Sequence, residues 1–201
     1  MTTRMKRTAT GAGFLLLILL GGCSTLKQLA EMATLSRCQF RMVSVENVAV
    51  AGINLEGKTG LSDINPFTLL KLQAAFTSGT LPLEFTLNLE GKDPNDSPAG
   101  MTRFAWILFM DGNELTRGQL EKGFEIPAGG TAPIPLAVSL DLRQALTGKT
   151  LDSMLNLALN LAGEGTKPTR VSLKMKPSIH VGGQDLDYPD YITLTQDFGG
   201  N

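Results

Sequence analysis

The feature that most constrains the fold is a strict alternation of apolar and polar residues over residues 83–90. Successive side chains of an extended strand point to opposite faces of a sheet, so this pattern predicts a strand with one buried and one solvated face. A turn is expected over residues 91–97. The apolar positions are Leu83, Phe85, Leu87 and Leu89, and the polar positions are Glu84, Thr86, Asn88 and Glu90.

The flanking sequence predicts further strands joined by turns. Residues 38–50 are rich in Val, but their apolar phase changes between residues 42 and 47, which predicts a β-bulge there. Residues 103–126 predict a hairpin that turns at Asp111-Gly112. Because both phases of residues 104–110 are apolar, we expect this strand to be covered on both faces.

Three more segments complete the strand pattern. Residues 131–142 alternate, and Pro133 and Pro135 place at least the start of this strand at a sheet edge, because proline cannot donate a ladder hydrogen bond. Residues 170–181 and 190–198 predict two closing strands.

Two segments have helical periodicity. Asn65 followed by Pro66 predicts a helix start and Gly79 predicts a stop, so the first helix is expected over residues 66–77. Its apolar face is expected to consist of Leu69, Leu72 and Phe76.

The second helix is predicted over residues 151–162 and is apolar on more than one side. A helix of this kind is usually buried or meets a partner. It is a candidate cover for the second face of the strand over residues 104–110. An exposed patch of Leu155, Leu157 and Leu159 would instead indicate a groove for a ligand or partner.

About seven strands, many joined by turns and interrupted by one or two inserted helices, predict a mainly β protein. The expected architecture is an antiparallel β-sandwich of the immunoglobulin or fibronectin kind. We assign this domain to residues 37–198.

Four short motifs follow one another in the middle of the chain. A turn, Asp93-Pro94-Asn95, ends the alternating strand; Asp111-Gly112 and Gly118 lie in the hairpin; and Ile126-Pro127-Ala128 precedes the alternation of residues 131–138. In order and spacing, residues 38–180 resemble the group 2 late embryogenesis abundant (LEA type 2) proteins, which carry the water-stress and hypersensitive-response (WHy) domain. That family has Asn where this chain has Asp93, and both residue types cap turns.

This resemblance implies a seven-stranded β-sandwich with a helix and a link to desiccation and stress tolerance. It also implies a non-enzymatic protein that protects or binds other proteins, since the family brings no catalytic residues and no cofactor. Asp93, Pro94 and Asn95 would then have a structural role. Bacterial members of the family are often predicted lipoproteins.

The N-terminal segment has three parts in a fixed order. Arg4, Lys6 and Arg7 form a positive head, residues 11–20 form an apolar run, and two glycines follow. The run is too short to span roughly 30 Å of hydrocarbon, which takes about 20 residues. This order predicts a secretory signal peptide over residues 1–22 that is removed.

The end of that segment, Leu20-Gly21-Gly22-Cys23, resembles the lipobox of bacterial lipoproteins. The resemblance implies cleavage before Cys23, acyl chains such as palmitate on Cys23, and a tether over residues 23–36. Ser24 replaces the Asp that retains enterobacterial lipoproteins at the inner membrane, which implies an outer-membrane location facing the periplasm. The alternative is an ordinary signal peptide with an incidental Cys23.

The charge balance excludes one class of partner. The whole chain has 18 Lys and Arg against 19 Asp and Glu. Removal of residues 1–22 takes away three basic residues and leaves 15 against 19, a formal charge of −4. With no basic patch suited to a phosphate backbone, nucleic acid is not expected as a partner.

The polar residues give little support to an enzyme. His180 is the only histidine, so there is neither a His pair for a metal nor a Ser-His-Asp set. Cys38 is interpreted as a small buried hydrophobe, with a reactive thiol as the alternative, and Trp106 as a core anchor. The last candidate residues are Asp185, Asp187 and Asp190, in a predicted Gly-rich loop. Because the order of ligands in an EF-hand is absent, we interpret this segment as a solvated acidic loop, with a Ca²⁺ site as the alternative.

Two functional classes therefore remain. The first is a lipid-anchored module of the cell envelope that protects or binds other proteins under stress, without cofactor or metal. The second is an envelope binding module in which the helix over residues 151–162 lines a groove for an apolar ligand or a partner protein.

Overall fold

A computed structural model describes residues 30, 33–58, 60–165, 168–181 and 184–199. The predicted signal peptide and the lipobox residues Leu20, Gly21, Gly22 and Cys23 lie outside the described residues, as does the side chain of His180. The described part is mainly β, with antiparallel sheets and a few helices, which confirms the predicted fold class.

Two antiparallel sheets form the sandwich. The first has the strand order β2-β1-β3-β8. The second has the order β10-β9-β5-β6, and β11 also pairs with β9. The strands of the first sheet are β1 (Gln39–Val50), β2 (Ile53–Asn54), β3 (Pro82–Lys92) and β8 (Thr131–Asp141). Those of the second are β5 (Arg103–Met110), β6 (Asn113–Leu120), β9 (Thr169–Val181), β10 (Gln184–Asp187) and β11 (Ile192–Phe198).

The remaining elements are a short strand pair and the helices. The pair consists of β4 (Ala99–Met101) and β7 (Phe124–Ile126). The helices are α1 (Pro66–Ser78), α2 (Leu142–Ala145) and α3 (Leu151–Leu161), and a short 3-10 turn covers Leu61–Asp63. No helix in the described ranges is long and apolar enough to cross a membrane.

The local predictions for the first sheet are confirmed. The apolar positions of β3 are all buried. The pairing of β1 with β3 shifts register between Met42 and Ser44, as the change of apolar phase predicts, and again between Glu46 and Ala49. β8 is an edge strand, and its Pro133 and Pro135 pair with Glu90 and Asn88 of β3 on the exposed face.

Helix α1 begins and ends where the sequence predicts. The Asn65 side chain accepts a hydrogen bond from the Thr68 amide at 2.8 Å, and Pro66 needs no donor at the first helical position. Gly79 ends the helix in the left-handed region at φ 103°. One detail of the prediction is wrong: Leu72 is buried, but Leu69 is exposed, because only a narrow stripe of α1 touches the sandwich.

The prediction that the strand over residues 104–110 is covered on both faces is wrong. Its inner residues, including Phe104 and Trp106, are buried, but Ala105 is exposed and Phe109 is only half-buried. Lysines of β9 lie on that outer face, with Lys174 Nζ 5.1 Å from the centroid of the Phe109 ring. Lysine stems can cover apolar surface while their charge stays in water, so no further layer is needed.

Helix α3 lies elsewhere than expected. It contacts β1 of one sheet and β9 of the other, and its buried residues belong to the same core as those of the two inner faces. It therefore closes the gap between the sheets instead of covering the outside of β5. Its Thr150 cap accepts a hydrogen bond from the Ser153 amide at 3.3 Å, which starts the helix.

Candidate functional site

The Asp93-Pro94-Asn95 turn follows β3 and holds three segments of the chain together. The Asp93 side chain is 0% exposed, and its Oδ1 accepts hydrogen bonds from the Asn95 amide at 2.8 Å and from Asn95 Nδ2. Asn95 Nδ2 also donates to the Thr34 carbonyl at 3.2 Å. The Asp93 amide donates to the Gly130 carbonyl at 2.9 Å. The turn therefore ties the segment before β1 to the loop before β8.

One of the two carboxylate oxygens of Asp93 makes no hydrogen bond to the described residues. Its Oδ2 is buried without a hydrogen-bond partner in the described part of the chain. A buried carboxylate with a free oxygen costs stability, whereas an amide in the same place carries no charge. An asparagine at position 93 would keep the acceptor oxygen for Asn95 and carry no charge.

We expect Asp93→Ala to lower the free energy of unfolding by about 1–3 kcal/mol, because both donors of Asn95 lose their acceptor. Asp93→Asn keeps an acceptor oxygen and removes the buried charge, so it should be at least as stable as the parent protein. Urea denaturation measures both, with Asp96→Ala at an exposed neighbouring position as the control. Equal losses for Asp93→Ala and Asp93→Asn would contradict this account of the turn.

Cys38 lies beside this turn as a half-buried free thiol. Its Sγ is 3.7 Å from the Thr34 carbonyl oxygen. Burial, and then the nearby Asp93 carboxylate, raise the pKa of the thiol from 9.0 to about 12. A thiol held in its neutral form is a poor nucleophile, which favours the structural interpretation of Cys38 over the reactive one.

At pH 8 we expect a disulfide reagent to react with folded Cys38 about 1000-fold more slowly than with the same thiol in denaturant, because the thiolate fraction falls by that factor. Since the folded pKa is raised, the rate should keep rising with pH beyond 9.0, where an ordinary thiol levels off, up to about 12. Stopped-flow absorbance on a Cys23→Ser background isolates this thiol. Rapid modification of the folded protein at pH 8 would contradict the assignment.

Trp106 packs on Gly118 across the pairing of β5 with β6 in the second sheet. They are directly opposed on β5 and β6, and the buried indole lies over the glycine. A Cβ on Gly118 would be 2.5 Å from Cζ2 of Trp106, closer than real Cβ contacts allow. Trp106 is thus a core residue, as predicted, and Gly118 gives it the space it needs.

The prediction that Asp185, Asp187 and Asp190 share a loop is wrong for the first two, which lie in β10 and are held there by its pairing with β9. Both of them form ion pairs. The Asp185 carboxylate pairs with Arg103, and Asp187 Oδ2 lies 3.4 Å from Lys176 Nζ. Asp190 is exposed. No group of three or more His, Cys, Asp or Glu residues in the described ranges could hold a metal ion. Arg103 and Lys176 therefore neutralise two of the three carboxylates.

The three leucines of α3 that could form an exposed patch, Leu155, Leu157 and Leu159, lie in two different environments. Leu155 and Leu159 are 0% and 2% exposed and belong to the core. Leu157 is half-buried and faces a cleft of about 640 Å³ between α3 and the tip of the β5–β6 hairpin. Apolar side chains form part of the cleft wall: Met110, Leu115, Ala145, Leu146 and Leu157. Polar residues complete it: Asp111, Asn113, Glu114, Thr147, Lys149 and Ser153.

Helix α1 carries a surface that the sequence analysis missed. Phe67 and Leu70 are each 68% exposed, and Leu69 is exposed beside them. Lys71 Nζ lies 4.7 Å from the centroid of the Phe67 ring. A signal was present in the sequence, because the helix contains more large apolar residues than one buried stripe can use.

Comparisons with known proteins complete the description. No protein-family model matches the chain, and no curated protein matches it. It is similar to a crystal structure of a protein from Archaeoglobus fulgidus, with a TM-score of 0.36 and 11% identity over 79% of this chain and 96% of that chain. A solution structure of an Arabidopsis thaliana protein gives a TM-score of 0.38 and 12% identity over 58% and 70% of the two chains. A solution structure described as that of a candidate late embryogenesis abundant (LEA) protein gives 0.36 and 10% identity over 93% and 80%.

Proposed function

We propose that the chain is a lipid-anchored, non-enzymatic protein of the cell envelope whose β-sandwich binds or protects other proteins under desiccation or other stress. The observation that carries this proposal is the run Leu20-Gly21-Gly22-Cys23 behind a positive head and a short apolar segment. Positive head, apolar run and small residues are the parts of a secretory signal. The cysteine directly after them supplies the thiol that a lipid anchor needs.

The start of the fold agrees with a tethered arrangement. The chain is bound to the sandwich from Thr34 onward, so an extended tether from Cys23 to this point would reach at most about 37 Å. Asn95 and Pro98 bind the Thr34 carbonyl and hydroxyl, which fixes where the tether leaves the sandwich. One acyl chain gives only marginal membrane binding, so the proposed anchor carries more than one.

The polar contacts support the non-enzymatic part of the proposal. Asp93 caps a turn, Asp185 and Asp187 pair with cations, and the Cys38 thiol is held neutral. Each of these groups serves the sandwich itself. None of them forms the nucleophile-and-base pair that covalent catalysis requires.

Metabolic labelling tests the anchor. The full chain is expressed in a bacterium fed a palmitate analogue, beside Cys23→Ser and, as the matched control, Cys38→Ser. We expect label on the parent and on Cys38→Ser, and loss of the label for Cys23→Ser, whose uncleaved apolar run over residues 11–20 can still hold the chain at the membrane. Label that persists in Cys23→Ser would overturn the assignment of the anchor.

The cleft at Leu157 favours a second candidate function, an envelope binding module for an amphipathic ligand. The apolar wall suits the apolar body of such a molecule, and Lys149 suits an acidic head, since the two carboxylates of the wall are engaged elsewhere: Glu114 pairs with Arg117, and Asp111 accepts a hydrogen bond from the Arg170 amide. Anilinonaphthalene sulfonate has this chemistry and is the probe. Leu157→Asp and Lys149→Glu should each weaken its fluorescence enhancement, while Lys122→Glu, an exposed position outside the cleft wall, should not. Equal binding by all four proteins would exclude the cleft as the site.

A further inference from the structure

The exposed surface of α1 is concentrated in one turn of helix. Phe67 and Leu70 are each 68% exposed and lie three residues apart on the same face of the helix, next to Lys71. Leu69 is 38% exposed and lies on the side of the helix that carries the buried Leu72. Exposed apolar side chains that adjoin in this way mark a contact with a partner or a membrane. We call this surface, Phe67, Leu70 and Lys71, the α1 patch.

The charge of α1 favours a lipid surface as the occupant. The helix contains no acidic residue, and its only charged residue is Lys71, which lies against Phe67. Large apolar side chains beside a lysine are the composition of segments that lie in the membrane interface, where the apolar groups enter the acyl boundary and the ammonium stays with the headgroups.

The body of the helix is positioned to present this patch outward. Leu72 is buried in the sandwich, and Phe76 packs against the core at the other end of the helix. Arg143 donates a hydrogen bond to the Phe76 carbonyl and lies over its ring at 4.7 Å. The C-terminal half is thus fixed to the protein, and the apolar N-terminal turn projects from it.

The tether gives the patch access to a bilayer. The chain enters β1 at Gln39, whereas α1 precedes Pro82, which lies at the opposite end of the same sheet. β1 is about 40 Å long at 3.3 Å per residue. The chain from Cys23 to Ala33 reaches at most about 34 Å when extended, which is enough for the sandwich to lie with its long axis along the membrane.

We propose that the α1 patch docks on the phospholipid surface, as a second contact that lays the sandwich along the membrane. The proposal rests on the lipid anchor for the position of the protein, but the docking itself depends only on the side chains of the patch. A second copy of the chain or a protein partner on the same surface are the competing outcomes.

A tryptophan placed in the patch tests the docking. The full chain with Phe67→Trp, in a Trp106→Phe background that removes the buried native indole, is extracted from cells and reconstituted into phosphatidylethanolamine and phosphatidylglycerol vesicles with or without brominated acyl chains. Leu186→Trp in the same background, at another exposed apolar position, is the matched control. We expect the brominated lipid to quench the emission from position 67 and to leave that from position 186 unchanged.

Failure of the docking and failure of the lipid anchor can be distinguished on the same sample, because its intact mass reports whether Cys23 carries lipid. A lipidated protein whose Trp at position 67 is not quenched overturns the docking and leaves the anchor intact. Quenching without lipid on Cys23 supports the docking and overturns the anchor. A blue-shifted but unquenched emission shows that protein covers the patch, which also overturns the docking.

Substitution within the patch gives a second readout. In the fragment from Ser24 to Asn201, which lacks both Cys23 and the apolar run of residues 11–20, Phe67→Ser with Leu70→Ser should lower the vesicle partition coefficient about 100-fold, roughly tenfold for each large apolar side chain withdrawn from the interface. Both positions are exposed, so the fold is preserved and circular dichroism should not change. An unchanged partition coefficient would overturn the proposal.

Discussion

Replacing Leu155 with alanine should lower the free energy of unfolding by about 2–5 kcal/mol, because the deletion leaves a cavity in a core that cannot fully collapse. Leu155 is 0% exposed and lies on α3, which touches β1 of one sheet and β9 of the other. Loss of its side chain therefore loosens the contact of the helix with both layers. Chemical denaturation with tryptophan fluorescence gives the value directly, since Trp106 belongs to the same core.

Leu157 provides the matched control for this result. It is on the same helix but is half-buried and faces the cleft. Leu157→Ala should cost less than about 1 kcal/mol, since little apolar surface is returned to water. If the two substitutions had equal effects, the assignment of Leu155 to the core and Leu157 to the cleft would be wrong.

Replacing Gly118 with valine should also lower the free energy of unfolding, but through overpacking and not through a cavity. The first added carbon would lie 2.5 Å from Cζ2 and 2.8 Å from Cε2 of Trp106, so the indole would have to move. Insertion into a well-packed core costs about 1–3 kcal/mol for a small group, and we expect valine to lie at or above the upper end. Thermal denaturation followed by circular dichroism measures the loss.

Two further variants test whether the loss comes from the clash with Trp106 or from placing valine anywhere in β6. Gln119→Val is the neighbour on the exposed face of β6, and since valine is favoured in strands it should be close to neutral. Trp106→Leu makes space above Gly118, so the double variant with Gly118→Val should lose less than the sum of the single losses. Strict additivity would show that the indole is not what excludes the side chain.

Much of the fold was predictable because its signals are local. The alternation of β3, the cap at Asn65 and the proline pair in β8 each depend on a few neighbouring residues. The bulge in β1 was predictable for the same reason, since one inserted residue reverses the apolar phase.

The errors concern packing between elements that are distant in the sequence. Both phases of β5 are apolar, but the pattern could not show that Lys174 and Lys176 of β9 lie across its outer face. A helix that is apolar on several sides does not indicate which layer it joins, so α3 was placed outside the sheet instead of between the sheets. Leu69 was assigned to a buried face because periodicity does not show how narrow the contact is.

The candidate sites also combine positions that the local sequence indicates with contacts that only the structure shows. The order of motifs picked out Asp93, Gly118 and Cys23 as positions of interest. The buried carboxylate of Asp93, the indole above Gly118 and the division of the α3 leucines all required coordinates. The α1 patch was missed because exposure is a property of the whole fold.

The most direct test of the proposed function is a protection assay on the fragment from Ser24 to Asn201, which contains every described helix and strand. A labile enzyme is dried or freeze-thawed with this fragment, or with an unrelated globular protein at equal mass, and its remaining activity is measured. The account predicts clearly more activity with the fragment than with the unrelated protein. Equal activity in the two samples would contradict a protective role.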